Sequence, residues 1–138
     1  MKLKGVKIIF LSQSAGEIVH ELADKCAKEI GKTLIITGSK HRKTKNNLIV
    51  INAPAYNNTS YLSRFITWIH YFIFTFSSLL KIKGNPTLII STNPPFLSIL
   101  GYIFKKIYKW EYIVRILDIY PDALVQNKLI SKTNFIYK

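Results

Sequence analysis

Apolar residues fall along the chain in short unbroken runs, with longer stretches at helical spacing between them. The runs Val6–Leu11 (VKIIFL), Leu34–Ile36, Leu48–Ile51, Thr87–Ser91 (TLIIS) and Tyr112–Ile119 (YIVRILDI) are rich in β-branched residues and predict strands. Their hydrophobicity is continuous rather than alternating, which suits parallel strands covered on both faces. After the first run, Ser14-Ala15-Gly16-Glu17 is a possible capping box, and Ile18, Leu22, Cys26 and Ile30 recur at helical spacing before Gly31 ends the helix. A further helix is predicted over Phe96–Lys109, apolar along Phe96, Leu100, Ile103 and Ile107, with Pro94 and Pro95 suited to its first turn. Elements in this order predict right-handed crossovers and an α/β fold: a Rossmann-like open, mostly parallel sheet with helices on both faces.

The stretch Phe65–Leu80 (FITWIHYFIFTFSSLL) differs from the rest, because sixteen residues pass without Asp, Glu, Lys or Arg and apolar groups surround its whole circumference. As a helix it reaches about 24 Å, against the roughly 30 Å of a bilayer core. Arg64 before it, Lys81 and Lys83 after it, and Trp68 and Tyr71 within it give the aromatic and cationic flanks of a segment lying in a membrane interface. Trp68, Tyr71, Phe72 and Phe76 are then expected to meet lipid. Lys105, Lys106, Lys109 and Trp110 join them from the end of the next helix, where cations also suit the negative end of the helix dipole. The alternatives are a helix buried in a large core and a marginal membrane span.

Composition narrows the picture. At 138 residues the chain has room for one domain, residues 1–138, and 49% hydrophobic residues exclude intrinsic disorder. One cysteine, Cys26, excludes a disulfide framework, and His20, His41 and His70 lack ligand spacing, so no metal is expected. Twenty Lys and Arg against seven Asp and Glu give a net charge of +13, which favours polyanionic partners. The basic loop Gly38–Asn47 has no interleaved aromatics for base stacking, so nucleic acid is not expected and an anionic membrane surface is. Met1–Leu11 is too short, and too often interrupted by lysine, to read as a secretory signal, which predicts a cytoplasmic protein.

Open parallel sheets bind ligands beyond the carboxyl ends of their strands, which directs attention to the loops after Leu11, Ser91 and Asp118. Ser14 and Gly16 lead into a helix N-terminus, where exposed N–H groups and the dipole favour a phosphate. Asn93, in Thr92-Asn93-Pro94-Pro95, can donate and accept hydrogen bonds to a sugar or phosphate. Arg115 and Asp118 are charges inside an apolar run, costly unless paired or used, and Asp122 follows in Tyr120-Pro121-Asp122. Asp118 is the candidate catalytic residue, as ligand or base for an acceptor hydroxyl. An ion pair with Arg115 or a helix cap is its structural alternative.

Three stretches and the order of elements resemble one family: VKIIFLSQSAGEIVHELADKCAKEIGKTLIITGS, LIISTNPPFLSILGYIF and EYIVRILDIYPDALV. They are similar to the N-terminal domain of GT-B glycosyltransferases of family 4, especially bacterial enzymes of capsule, O-antigen or colanic-acid-type polysaccharide synthesis. The resemblance implies transfer of a sugar from a nucleotide-sugar to a lipid-linked or polysaccharide acceptor, without a further cofactor, by a protein peripheral on the inner face of the cell membrane. It implies that Gly16 lies near the donor phosphates and that Asn93 and Asp118 line the cleft. It also implies a second, C-terminal Rossmann domain that holds most of the nucleotide-sugar, so the chain is expected to be a truncated or split acceptor-side half. Two other readings stay open: a non-enzymatic basic domain that binds nucleic acid or anionic membrane, and an inactive remnant.

Overall fold

The computed structural model describes residues 3–39 and 47–116. Along the chain the elements are β1 (Leu3–Lys4), β2 (Ile8–Leu11), α1 (Glu17–Glu29), β3 (Thr33–Thr37), β4 (Leu48–Asn52), α2 (Tyr61–Leu79), β5 (Ile82–Lys83), β6 (Thr87–Ser91), α3 (Ser98–Tyr108) and β7 (Tyr112–Arg115). Five of the strands form one parallel sheet in the order β4-β3-β2-β6-β7, while β1 pairs with β5 as a separate parallel ribbon. The fold is therefore α/β, with a Rossmann-like open sheet.

The expected two-sided burial of the central strands holds: every residue of β2 and β3 is buried. On one face Ile9, Leu11, Leu34, Ile36, Leu88 and Ile90 pack under Tyr71 and Leu79 of α2 and Leu100 and Phe104 of α3. On the other face Ile8, Phe10, Ile35 and Leu48 pack under Val19, Ala23 and Ala27 of α1. Each fully buried Leu, Ile or Phe contributes about 1.5–3 kcal/mol of transfer free energy, so this sandwich is the main source of stability.

Several helix details depart from the sequence pattern. α1 has Gly16 as its N-cap with no side-chain hydrogen bond, so Ser14 closes no capping box. The reason is position: Glu17 is the first helical residue, whereas a box needs its acidic partner at the third. The buried stripe of α1 is Val19, Ala23 and Ala27, and Ile18, Leu22 and Ile30 are exposed, with Ile18 at 68%. Close approach to the sheet favours the small residues one position along. Gly31 does end this helix, at φ +122.

α2 begins earlier than its apolar run. Ser60 Oγ accepts from the Ser63 N–H (3.1 Å) and Ser63 Oγ accepts from the Ser60 N–H (3.0 Å), a reciprocal cap that fixes the entry of a helix rich in poor helix formers. α3 begins later, at Ser98 behind Leu97, so Pro94 and Pro95 lie in the preceding turn rather than in its first turn, and Ile107 is exposed. The strand expected to run to Ile119 is present over Tyr112–Arg115, and its last residues lie outside those described. Among the described residues no helix is long and apolar enough to cross a membrane.

Tyr71 is fully buried, and its hydroxyl donates to the Ile36 carbonyl of β3 at 2.6 Å. Burial pushes its phenol well above the ordinary 10.0. The folded chain keeps this proton where the unfolded chain loses it, so the contribution is complete below about pH 10 and is lost as pH rises above that. Tyr71→Phe keeps the ring and removes the donor. Denaturant unfolding at neutral pH is expected to show a loss of about 1 kcal/mol, and the alkaline limb of stability is expected to be shallower than in the parent protein.

Candidate functional site

The strand order places a reversal beside β2: the chain moves outward through β3 to β4, then crosses to β6 and β7. At such a switch point the loops leaving two neighbouring strands diverge to opposite faces and leave a crevice at the carboxyl edge. Here those loops are Ser12–Gly16, after β2, and Thr92–Leu97, after β6.

The loop after β2 is tied down by two buried polar side chains. Thr37 Oγ1 accepts from the Ala15 N–H (3.4 Å) and the Ser39 N–H (3.1 Å) and donates to the Gln13 carbonyl (3.4 Å). Gln13, also buried, donates through Nε2 to the carbonyls of Thr67 (3.0 Å) on α2 and Pro54 (3.3 Å) after β4. Backbone bonds from Gly38 N–H to Gln13 (2.9 Å) and from Ala53 N–H to Thr37 (2.7 Å) complete the tie. The chain after β4 approaches so closely that a Cβ on Gly38 would lie 2.5 Å from the Pro54 carbonyl oxygen. Gly38 is thus a steric requirement of this edge.

Above these ties stands an aromatic wall. Tyr56, from the loop after β4, stacks on Trp68 of α2 with centroids 6.4 Å apart and planes 8° from parallel. Trp68 meets the edge of Phe96 at 6.3 Å, and Phe96 meets Phe72 at 5.7 Å. Three polar atoms in this region, Gln13 Oε1, Arg64 Nε and Trp68 Nε1, are shielded from solvent and make no hydrogen bond to the protein. Half-exposed aromatic faces of this kind can hold a sugar ring by stacking.

Of the residues singled out from sequence, Ser14 and Gly16 are exposed at the entrance to α1, and a Cβ on Gly16 would meet nothing within 4 Å. The approach to that helix end is therefore open. Asn93 is half-buried at the exit of β6, in a cis peptide with Pro94, and its side chain makes no hydrogen bond within the described residues. Arg115 is half-buried at the end of β7, and the N–H of Thr92 donates to its carbonyl at 3.2 Å, which joins the two strand exits. Asp118 and Asp122 lie outside the described residues, as does most of the basic loop.

The expected lipid contacts divide. Tyr71 and Trp110 are buried, Trp110 against Phe104 at 4.9 Å, so neither meets lipid: each fills core space that its sequence setting does not reveal. Trp68, Phe72 and Phe76 are half-buried on the inward side of α2, while Lys105, Lys106 and Lys109 are exposed at the opposite edge of the sheet. Among the described residues no three His, Cys, Asp or Glu side chains form a metal site, and burial raises the Cys26 thiol pKa, with Glu29 adding to the effect. Gln13, Thr37 and Tyr56 have no role in the sequence pattern, and Phe96, expected on the helix face, lies in the loop before α3. A lone Gln two residues after an apolar strand is the one local signal available. No protein-family model matches the chain, and no curated protein matches it.

Thr37→Val preserves shape and removes the hydroxyl that serves Ala15 and Ser39. The expected cost is about 1–3 kcal/mol, with amide hydrogen exchange accelerated first at Ala15 and Ser39. Equal protection in parent and variant would show that the hydroxyl does not hold the loop.

Proposed function

We propose that this chain is the acceptor-binding half of a membrane-associated glycosyltransferase of the GT-B type, which moves a sugar from a nucleotide-sugar to a lipid-linked or polysaccharide acceptor. The observation that carries the reading is the two-sided character of α2. Its inward side supplies Trp68 and Phe72 to the wall over the carboxyl edge. Its outward side exposes Leu62 (69%), Phe65 (55%), Ile66 and Ile73 (56%), and the helix contains no carboxylate. A contiguous apolar helix face left in water is unfavourable unless something covers it.

A bilayer surface is the cover proposed. Such a face inserts shallowly at the headgroup boundary, and each nearby lysine, Lys81 and Lys83 among them, adds roughly 1 kcal/mol of attraction to anionic lipid. Docking through α2 would set the crevice between the β2 and β6 exits at the height where a membrane-borne acceptor emerges. In this reading Trp68 and Tyr56 stack against the acceptor sugar, Asn93 supplies hydrogen bonds, and Gln13 holds the loop after β2 in place beneath them. Gly16 leaves room for donor phosphate at the start of α1, and Asp118 acts on the acceptor hydroxyl. A second Rossmann-like domain closes the cleft and grips the nucleotide. The protein would then be peripheral on the inner face of the cell membrane.

Flotation with phosphatidylcholine and phosphatidylglycerol vesicles tests the docking. The parent protein is expected to rise with the vesicles at low salt, and the variant carrying Phe65→Asp and Ile73→Asp is expected to bind roughly tenfold more weakly or less, with its fold intact because both positions are exposed. Adding a polyprenyl-phosphate-linked saccharide to the vesicles should tighten binding, an increment that Asn93→Ala abolishes. A parent protein that remains at the bottom at low salt contradicts docking, and an acceptor that changes nothing contradicts the acceptor role.

A further inference from the structure

The amino edge of the sheet, opposite the crevice, carries most of the described positive charge. Lys7 and Lys32 precede β2 and β3, Lys4 and Lys83 sit on the β1–β5 ribbon, and Lys32 Nζ donates to the Lys4 carbonyl at 3.1 Å. At the end of α3 this edge contains an open cavity of about 320 Å³ lined by the exposed residues Tyr102, Lys105, Lys106, Lys109 and Glu111. Three ammonium groups and one carboxylate leave the lining with a net charge of +2.

Backbone hydrogen bonds and packing fix the turn that carries these lysines. α3 ends with the Lys109 N–H donating to the Lys105 carbonyl (3.1 Å) and the Trp110 N–H to the Phe104 carbonyl (3.5 Å). Trp110 is buried against Phe104 and Tyr108, which anchors the turn from below. Within that turn Lys109 adopts φ +60, ψ +24, the left-handed conformation that glycine takes at least cost. A lysine there keeps a cation at the cavity where backbone preference alone would place none. Lys105 is engaged by Glu111 at 2.9 Å, which raises the lysine's pKa, whereas Lys106 and Lys109 form no ion pair among the described residues. Lys106 Nζ lies 5.9 Å from the centre of the Tyr102 ring, which orients it along the cavity wall.

We infer that this cavity is a second binding site, separate from the crevice, for a phosphate group. Lys106 and Lys109 supply the opposing charge, Tyr102 offers a phenol donor and a ring edge, and Lys105 is a third cation held in reserve by Glu111. α3 is eleven residues long, about 16 Å, so its end lies well away from the strand exits at its beginning. The phosphate belongs to a lipid headgroup or to a soluble ligand. Both present anionic phosphate oxygens, and the cavity chemistry fits either.

Two probes distinguish the sources: pyrophosphate titrated by calorimetry at low salt, and phosphatidylcholine vesicles with and without phosphatidic acid. The parent protein is expected to bind at least one of them above the chloride or neutral-vesicle control. Lys106→Gln with Lys109→Gly is expected to weaken that binding roughly tenfold or more. Lys109→Gly alone should at the same time raise the melting temperature, because the left-handed turn is relieved, so lost binding is not lost folding. Glu111→Gln, which frees Lys105, is expected to tighten binding several-fold. Lys25→Gln with Lys28→Gln, an equal change of charge on α1, should have little effect. Binding of neither probe overturns the proposal, as does an α1 control that weakens binding as much as the cavity variant, or a Glu111→Gln variant with unchanged affinity.

Discussion

Strands β2 and β3 are buried on both faces, so their backbone groups have no water to bond with and must be satisfied by neighbouring strands. Parallel pairing on both sides of β2 meets that requirement, with Ile9 in register with Leu34 on one side and Leu88 on the other. Parallel strands then need crossovers, which place α1 over one face and α2 and α3 over the other. With every strand of the sheet pointing the same way, each exit loop emerges at one edge. The crevice between the β2 and β6 exits is thus a consequence of how the central backbone is satisfied, and Thr37 and Gln13 fix the shape of its walls.

The two edges have different chemistry. The carboxyl edge has aromatic faces, an open approach at Gly16, a half-buried Asn93, and shielded polar atoms without protein partners. The amino edge has lysines, few carboxylates and a rigid turn at Lys109. α2 links the first of these to its exposed apolar face, because Trp68 on one side and Ile66 and Ile73 on the other belong to the same turns of helix. The proposed membrane-facing role follows from that connection rather than from net charge, since most of the described lysines lie elsewhere.

The five strands of the main sheet were legible because continuous β-branched runs have few other uses in a chain of this size, and TLIIS forms a strand over the same residues that the pattern marks, Thr87–Ser91; the two-residue strands β1 and β5 carry no such run and were not. Faces of helices were less legible. Ile18, Leu22 and Ile30 look like a core stripe, yet the sheet lies close enough to α1 that Ala23 and Ala27 fill the space. Tyr71 and Trp110 look interfacial, because amphipathic rings flanked by cations suit a membrane boundary, but each is buried in the core. The ties at the carboxyl edge were not legible at all. Gln13 bonds to residues 41 and 54 positions away, and no local pattern encodes such a partner. Gly38 is required by a backbone that reaches it only after the chain has completed β4.

The most direct measurement is an amide chemical-shift map of the protein in bicelles containing anionic lipid, recorded with and without a polyprenyl-phosphate-linked saccharide. The proposed function predicts line broadening by lipid along the outward face of α2 at Leu62, Ile66 and Ile73. It also predicts shifts caused by the saccharide at Gln13, Gly16, Tyr56, Trp68 and Asn93. Saccharide shifts absent from these residues, or lipid broadening confined to other surfaces, would contradict it.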